Sequence, residues 1–137
     1  MMREQEDLLV KDLCSRLPYG VIVETPKGKG HVCDINLTIF GTEVGVNISA
    51  TSRDKFNIED IKPYFFSLSS MSEEQKEFIK NQFCYDWDSN DPYSLWTYCI
   101  EIGAIDALID LFNKYHIDYR CLISKGLAND ATGLNIY

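Results

Sequence analysis

The sequence predicts an α+β fold: a small antiparallel sheet or SH3-like barrel in the N-terminal half, packed with helices that are mainly C-terminal. Three observations predict it. Between Cys33 and Ser49 apolar and polar side chains alternate with a period of two, the spacing of half-buried strands. At Ser69-Ser70-Met71-Ser72-Glu73-Glu74-Gln75 this Gly- and Pro-punctuated stretch gives way to an acidic helix start. Beyond Gly103, apolar residues recur at helical spacing.

Taken in order, residues 4 to 17 bring Leu8, Leu9, Leu13 and Leu17 near one helical face, and Pro18 blocks continuation. Val21 to Thr25 is a β-branched run closed by the turn cluster Pro26-Lys27-Gly28-Lys29-Gly30. Cys33, Ile35, Leu37 and Ile39 then alternate with Asp34, Asn36 and Thr38, and after Phe40-Gly41-Thr42-Glu43 the alternation resumes with Val44, Val46 and Ile48. These seven side chains are expected on one buried face of two paired strands. Residues 50 to 55 read as a polar loop, and Phe56 to Phe65 as a short turn leading to a last strand. Ser72 and Gln75 fit a capping box for a helix whose apolar face is Phe78, Ile79 and Phe83. Trp96 to Ile102, aromatic and β-branched, reads as a strand. Ile105, Leu108, Ile109, Phe112 and Tyr115 form the inner face of a further helix, and Asp118 caps a final turn that stops at Gly126. The organisation expected is one domain over residues 1–137: an N-terminal helix at 1–17, the sheet at 19–68, a mixed helical part at 70–128 and a loose tail at 129–137.

Composition narrows the function classes. At 137 residues, 45% hydrophobic and 25% charged, the chain has the make-up of an ordinary globular protein. No uncharged apolar run approaches the roughly 18 residues of a membrane span, and the start, Met1-Met2-Arg3-Glu4-Gln5-Glu6-Asp7, is polar where a signal peptide needs an apolar stretch. A cytoplasmic location and no membrane partner are expected. Five scattered cysteines (Cys14, Cys33, Cys84, Cys99, Cys121), with no C-x-x-C pair, read as reduced thiols, Cys33 and Cys99 serving as small hydrophobes. The net charge is −8, with 8 Lys/Arg against 10 Asp/Glu in residues 1–70 and 5 against 11 in residues 71–137. An acidic back half repels phosphate, so duplex nucleic acid is disfavoured and a protein partner, in particular a basic one, fits better.

Candidate chemistry is sparse. Asp86, Asp88, Asn90 and Asp91 crowd oxygen ligands as a calcium loop does, but Asp91 stands where such a loop needs Gly and Thr97 where it needs Glu. No metal or cofactor is expected. His116, Asp118 and Cys121 are the types from which a thiol nucleophile, a base and an orienting carboxylate are assembled. Against that, a helix C-terminus would favour a partly charged His116 through the dipole, and Asp118 serves as a cap. Lys27, Lys29, His31, Arg53 and Lys55, with Tyr64, Phe65 and Phe66 nearby, sketch a surface on which single-stranded nucleic acid could stack. Arg120 is a further binding candidate, placed near the surface where it can pair with acidic neighbours.

Four stretches together carry a resemblance: Lys11 to Val21, Ile61-Lys62-Pro63-Tyr64, Ser69 to Glu74, and Tyr115 to Ala128. The sequence resembles a family of small uncharacterised proteins from Bacteroides-type gut bacteria and their prophages or mobile elements. Members of that family commonly carry His-His-Phe-Asp-Tyr-Arg-Gly-Leu-Ile, from which Tyr115, Ile117 and Cys121 depart here. The resemblance implies a mobile-element setting and no catalytic residues. The function expected from the sequence is therefore a non-enzymatic protein-interaction module, a phage or mobile-element accessory protein. The alternatives are a small enzyme with a site near His116 and Cys121, and a single-stranded nucleic-acid-binding module.

Overall fold

In the computed structural model, which describes residues 1–86 and 91–137, the chain opens with helix α1 (Arg3–Arg16). Leu9, Asp12, Leu13 and Arg16 form its buried face, at the i, i+3, i+4 and i+7 spacing of one helical stripe. A 3-10 turn at Leu17–Tyr19 holds Pro18, and Gly20 in the left-handed region (φ 71°) turns the chain into the sheet. The strands are β1 (Ile22–Thr25), β2 (Gly28–Thr38), β3 (Gly41–Ser49), β4 (Ser52–Asn57), β5 (Lys62–Phe65) and a two-residue β6 (Asn129–Asp130). Their order is β4-β3-β2-β1-β5-β6. All neighbours are antiparallel except β5 and β6. The ladders thus run from one edge strand to the other as an open sheet. Helices α2 (Glu73–Phe83), α3 (Pro92–Glu101) and α4 (Ile105–Lys114) complete the α+β fold. No helix among the described residues is long and apolar enough to cross a membrane.

Two cores result. One lies between the sheet and α1 and contains Leu9, Leu13, Val23, Val44, Val46, Ile61, Phe65 and Leu122. The other fills the helical part around Ile79, Leu95, Cys99, Leu108, Phe112 and Ile117. They are tied together at Phe66, whose N–H donates to His116 O (2.8 Å) and whose carbonyl accepts from Asp118 N (2.8 Å).

Several expectations are corrected. The β2 alternation is broken by a bulge: Val32 pairs with Val46 and Asp34 with Gly45, so Cys33 is the extra residue. Val32 therefore takes the buried position expected for Cys33, which is exposed. Val44 and Val46 are buried as expected, but the hairpin runs past the core, leaving Leu37 76%, Ile39 94% and Phe40 94% exposed. The polar loop expected at 50–55 is largely strand β4, whose Arg53, Asp54 and Lys55 are the charged residues that an edge strand tolerates. At Gly45 a Cβ would lie 2.6 Å from Asp34 Oδ1 and 2.9 Å from Arg53 Nε, so a side chain there would push aside the ends of a surface ion pair.

The strand expected at 96–102 is helix α3: Pro92 starts it, and Leu95 and Cys99, four residues apart, bury one face against the helical core. Ser72 and Gln75 form the expected capping box on α2, but Phe78 is exposed and only Ile79 and Phe83 are buried. The turn expected between Asp118 and Gly126 is present as successive turns from Leu122 to Gly126, with Asp118 accepting from Leu122 N and Ile123 N. The tail expected to be loose instead closes the sheet edge. Ala131 is buried and its N–H donates to Phe65 O (2.8 Å), while the Tyr137 hydroxyl donates to Tyr64 O (2.8 Å) and accepts from Ile22 N (2.9 Å).

Candidate functional site

A fully buried charged cluster organises the junction of α1 with the C-terminal turns. Arg16 Nη2 donates to Asp12 Oδ1 (3.1 Å) and to Ile117 O (2.7 Å), and Arg16 Nε lies 2.9 Å from Asp12 Oδ2. Its guanidinium lies 4.1 Å from the centroid of Phe65 and 4.9 Å from that of Tyr119. Arg120, less buried, donates from Nη1 to the same Asp12 Oδ1 (2.8 Å) and also lies over Tyr119 (4.8 Å). One carboxylate thus serves two guanidiniums, and Arg16 Nη1 has no hydrogen-bond partner. A charge cluster of this kind survives burial only through such pairing.

The cluster holds a ring in place, and the ring lines a cleft. Tyr119 is gripped by the two guanidiniums, and its hydroxyl donates to Asn113 Oδ1 (2.9 Å). With Leu68, Tyr93, Trp96, Phe112 and Cys121 it encloses an apolar cleft of about 180 Å³. Phe112 and Trp96 lie 5.9 and 6.3 Å from the Tyr119 ring. Tyr93, 76% exposed, also borders a wider and more polar groove of about 510 Å³ that carries Asp91 and Glu101 beside Tyr85 and Tyr98. The arrangement offers aromatic faces and one thiol, with carboxylates alongside; it is suited to taking up an apolar side chain.

The residues singled out from the sequence fall elsewhere or into structural roles. His116 stacks on Tyr137 at 3.6 Å between centroids. Burial, helped by the charge of Arg16 and by His31, pushes its pKa down to about 4, so it is neutral where a dipole-charged imidazole was expected. Asp118 is buried and spends both oxygens on backbone, accepting from Leu122 N (2.8 Å) and Ile123 N (2.9 Å). Cys121 is exposed at the cleft, in the left-handed region (φ 58°) that glycine favours. No hydrogen bond joins these three among the described residues, and no triad is assembled.

Tyr64 is buried with its hydroxyl on Glu24 Oε2 (2.9 Å), Phe65 is core, and Phe66 packs on Tyr137, so none of them forms a stacking surface. Of the nearby basic residues, three are paired, Lys27 with Asp54, Lys29 with Glu24 and Arg53 with Asp34. Asp86 pairs with Lys80 (3.1 Å), Asp91 precedes α3, and Asp88 and Asn90 lie outside the described residues. No group of three metal-ligating side chains occurs among the described residues. Sequence reasoning missed Asp12, Arg16 and the aromatic lining. The signal was present in α1, where two charged residues fall on the stripe defined by Leu9 and Leu13.

The neutral His116 has a consequence for acid stability. Its folded pKa is depressed below the ordinary histidine value of 6.5, so the unfolded chain binds the proton more readily. Stability from this site is fully present above that value and is lost as pH falls toward 4. Denaturation midpoints measured from pH 7 to 4 should fall more steeply for the parent than for His116→Gln; parallel curves would show that His116 is not responsible.

No family model matches the chain, and no solved structure matches it. It is similar to the protein-export protein SecB of Orientia tsutsugamushi. The Boryong and Ikeda proteins are each 31% identical over an alignment that covers 85% of this chain and 78% and 76% of the relative. This similarity corrects the function expected from the sequence. Relatives named for protein export replace the phage or mobile-element accessory module, and neither the enzyme at His116 and Cys121 nor the single-strand nucleic-acid surface is retained.

Proposed function

The chain belongs to the SecB family of protein-export proteins, and on that premise we propose that it is a cytoplasmic chaperone that holds a non-native polypeptide for export. The aromatic cleft takes up an apolar side chain of that client. The cleft is the observation that carries the reading: about 180 Å³ bounded by Leu68, Tyr93, Trp96, Phe112, Tyr119 and Cys121. An apolar cavity of about 150 Å³ accepts a benzene ring, so one aromatic or branched aliphatic side chain fits. Tyr119 is held by Arg16, Arg120 and Asn113, so this wall of the cleft is formed before the client arrives, which lowers the ordering cost of binding. Asp91 and Glu101 in the adjoining groove, and a net charge of −8, favour client segments in which Lys or Arg accompanies the apolar residue.

The test is titration of a fluorescently labelled, reduced and alkylated, permanently unfolded model protein, followed by the anisotropy of its label so that parent and variants are read alike. Saturable binding that weakens tenfold or more in Trp96→Ala, with the fold of that variant checked by circular dichroism, supports the reading. Absence of binding by the parent, or equal binding by a folded Trp96→Ala, overturns it.

A further inference from the structure

Residues 129–137 lie along the sheet as an extended strap. β6 joins β5 through two residue pairs, Tyr64 with Asn129 and Phe65 with Asp130, and Ala131 N–H donates to Phe65 O (2.8 Å). Ala131 is fully buried against Ile22 and Tyr64, and beyond it the strap is mostly exposed. Tyr137 then enters a socket, its ring stacked on His116 (3.6 Å between centroids) and packed on Phe66 (5.9 Å). The β1–β5 register pairs Glu24 with Lys62 and Val23 with Pro63, so Ile22 and Tyr64 come next. There the Tyr137 hydroxyl stands in for the direct bond, accepting from Ile22 N (2.9 Å) and donating to Tyr64 O (2.8 Å).

We propose that the edge of β5, together with the Tyr137 socket, is a recognition site for an extended polypeptide segment, held in this structure by the chain's own strap and opened to a partner strand when the strap lifts. The partner runs parallel to β5, with a small side chain at the position of Ala131 and a tyrosine six residues later, as the strap has.

The chemistry of the site selects that occupant. Lifting the strap uncovers Phe65 O, Tyr64 O and Ile22 N, ladder groups that require partners and that an added strand supplies. The faces of His116 and Phe66 suit an aromatic ring, and the two bonds at the hydroxyl favour tyrosine over phenylalanine. The strap is also the part of the sheet best placed to open. Its ladder is short and parallel, and residues 132–135 are exposed, whereas Leu127 and Ala128 just before it are buried in the core beneath the sheet. The site shares no residue with the aromatic cleft, so it stands independently of the chaperone reading.

The test uses full-length Tyr137→Ala, its fold checked by circular dichroism, and a fluorescently labelled peptide with the sequence of residues 128–137. The variant should bind the peptide saturably, and the parent at least about tenfold more weakly, because its own tethered strap competes. A peptide with Phe in place of its Tyr should bind less tightly than the original, and one with Ala there should not bind measurably. No binding by the variant, equal binding by variant and parent, or equal binding of the Tyr and Ala peptides would each overturn the proposal. The parent alone gives a second readout. In native-state hydrogen exchange the Ala131 amide should exchange faster than the amides of the β2–β3 ladder, through opening of the strap; exchange of Ala131 only on global unfolding would equally overturn it. Loss of unfolded-protein binding in Trp96→Ala concerns the cleft alone, so the two readings fail separately.

Discussion

Asp12→Ala is expected to destabilise the protein by about 3–5 kcal/mol, the cost of leaving a buried charge without its partner. Asp12 is fully buried and its Oδ1 accepts from both Arg16 and Arg120. Removing the carboxylate strands the Arg16 guanidinium, which is itself fully buried, with Nη1 already unpartnered and Nε facing Asp12 Oδ2 without a hydrogen bond. Its remaining polar anchor is Ile117 O at 2.7 Å, too little to offset desolvation of the charge. Arg120 has another course, because its side chain is partly exposed and can turn to water. Urea denaturation should show the midpoint falling steeply. The double variant Asp12→Leu with Arg16→Met should recover most of the loss, since a buried ion pair exchanged for apolar groups of similar volume is often neutral. A folded Asp12→Ala within about 1 kcal/mol of the parent would mean that the cluster is not what joins α1 to the C-terminal turns.

Leu122→Ala should cost about 2–4 kcal/mol through the cavity it leaves. Leu122 is fully buried in the core beneath the sheet, and its backbone is fixed at both ends: its N–H donates to Asp118 Oδ1 (2.8 Å) and its carbonyl accepts from Leu127 N (2.9 Å). A backbone held in this way cannot collapse into the space. Cys121→Ser, one residue earlier and exposed, should change stability little. Equal denaturation midpoints for Leu122→Ala and the parent would remove the packing role of this segment.

Much of the fold could be read from local pattern. The capping box at Ser72, the α4 periodicity and the β2–β3 hairpin are signals in which neighbouring residues decide the outcome, and all three are present. The errors come where a distant partner decided. Trp96 to Glu101 has strand-like composition, yet Leu95 and Cys99 pack into the helical core and the segment is helix. Residues 129–137 carry no periodicity, and what holds them is their contact with β5 and the Tyr137 hydroxyl shared between Ile22 and Tyr64. Ser52–Asn57 looks like loop because an edge strand needs no second apolar face.

The candidate site was less legible than the fold for the same reason. Its lining comes from Leu68, from α3 and α4, and from the turns after Ile117, segments distant in sequence, so no local motif could announce it. The sequence by itself determined the α+β class, the net charge of −8 and the amphipathic helix α4, because periodicity and charge are properties of adjacent residues. Only the tertiary structure decided that Arg16 is buried beside Asp12, that His116 is neutral, that the hairpin tip stands free and that six scattered side chains face one cleft. Burial and electrostatics at a residue depend on what long-range folding brings against it, and the chain on either side does not record that.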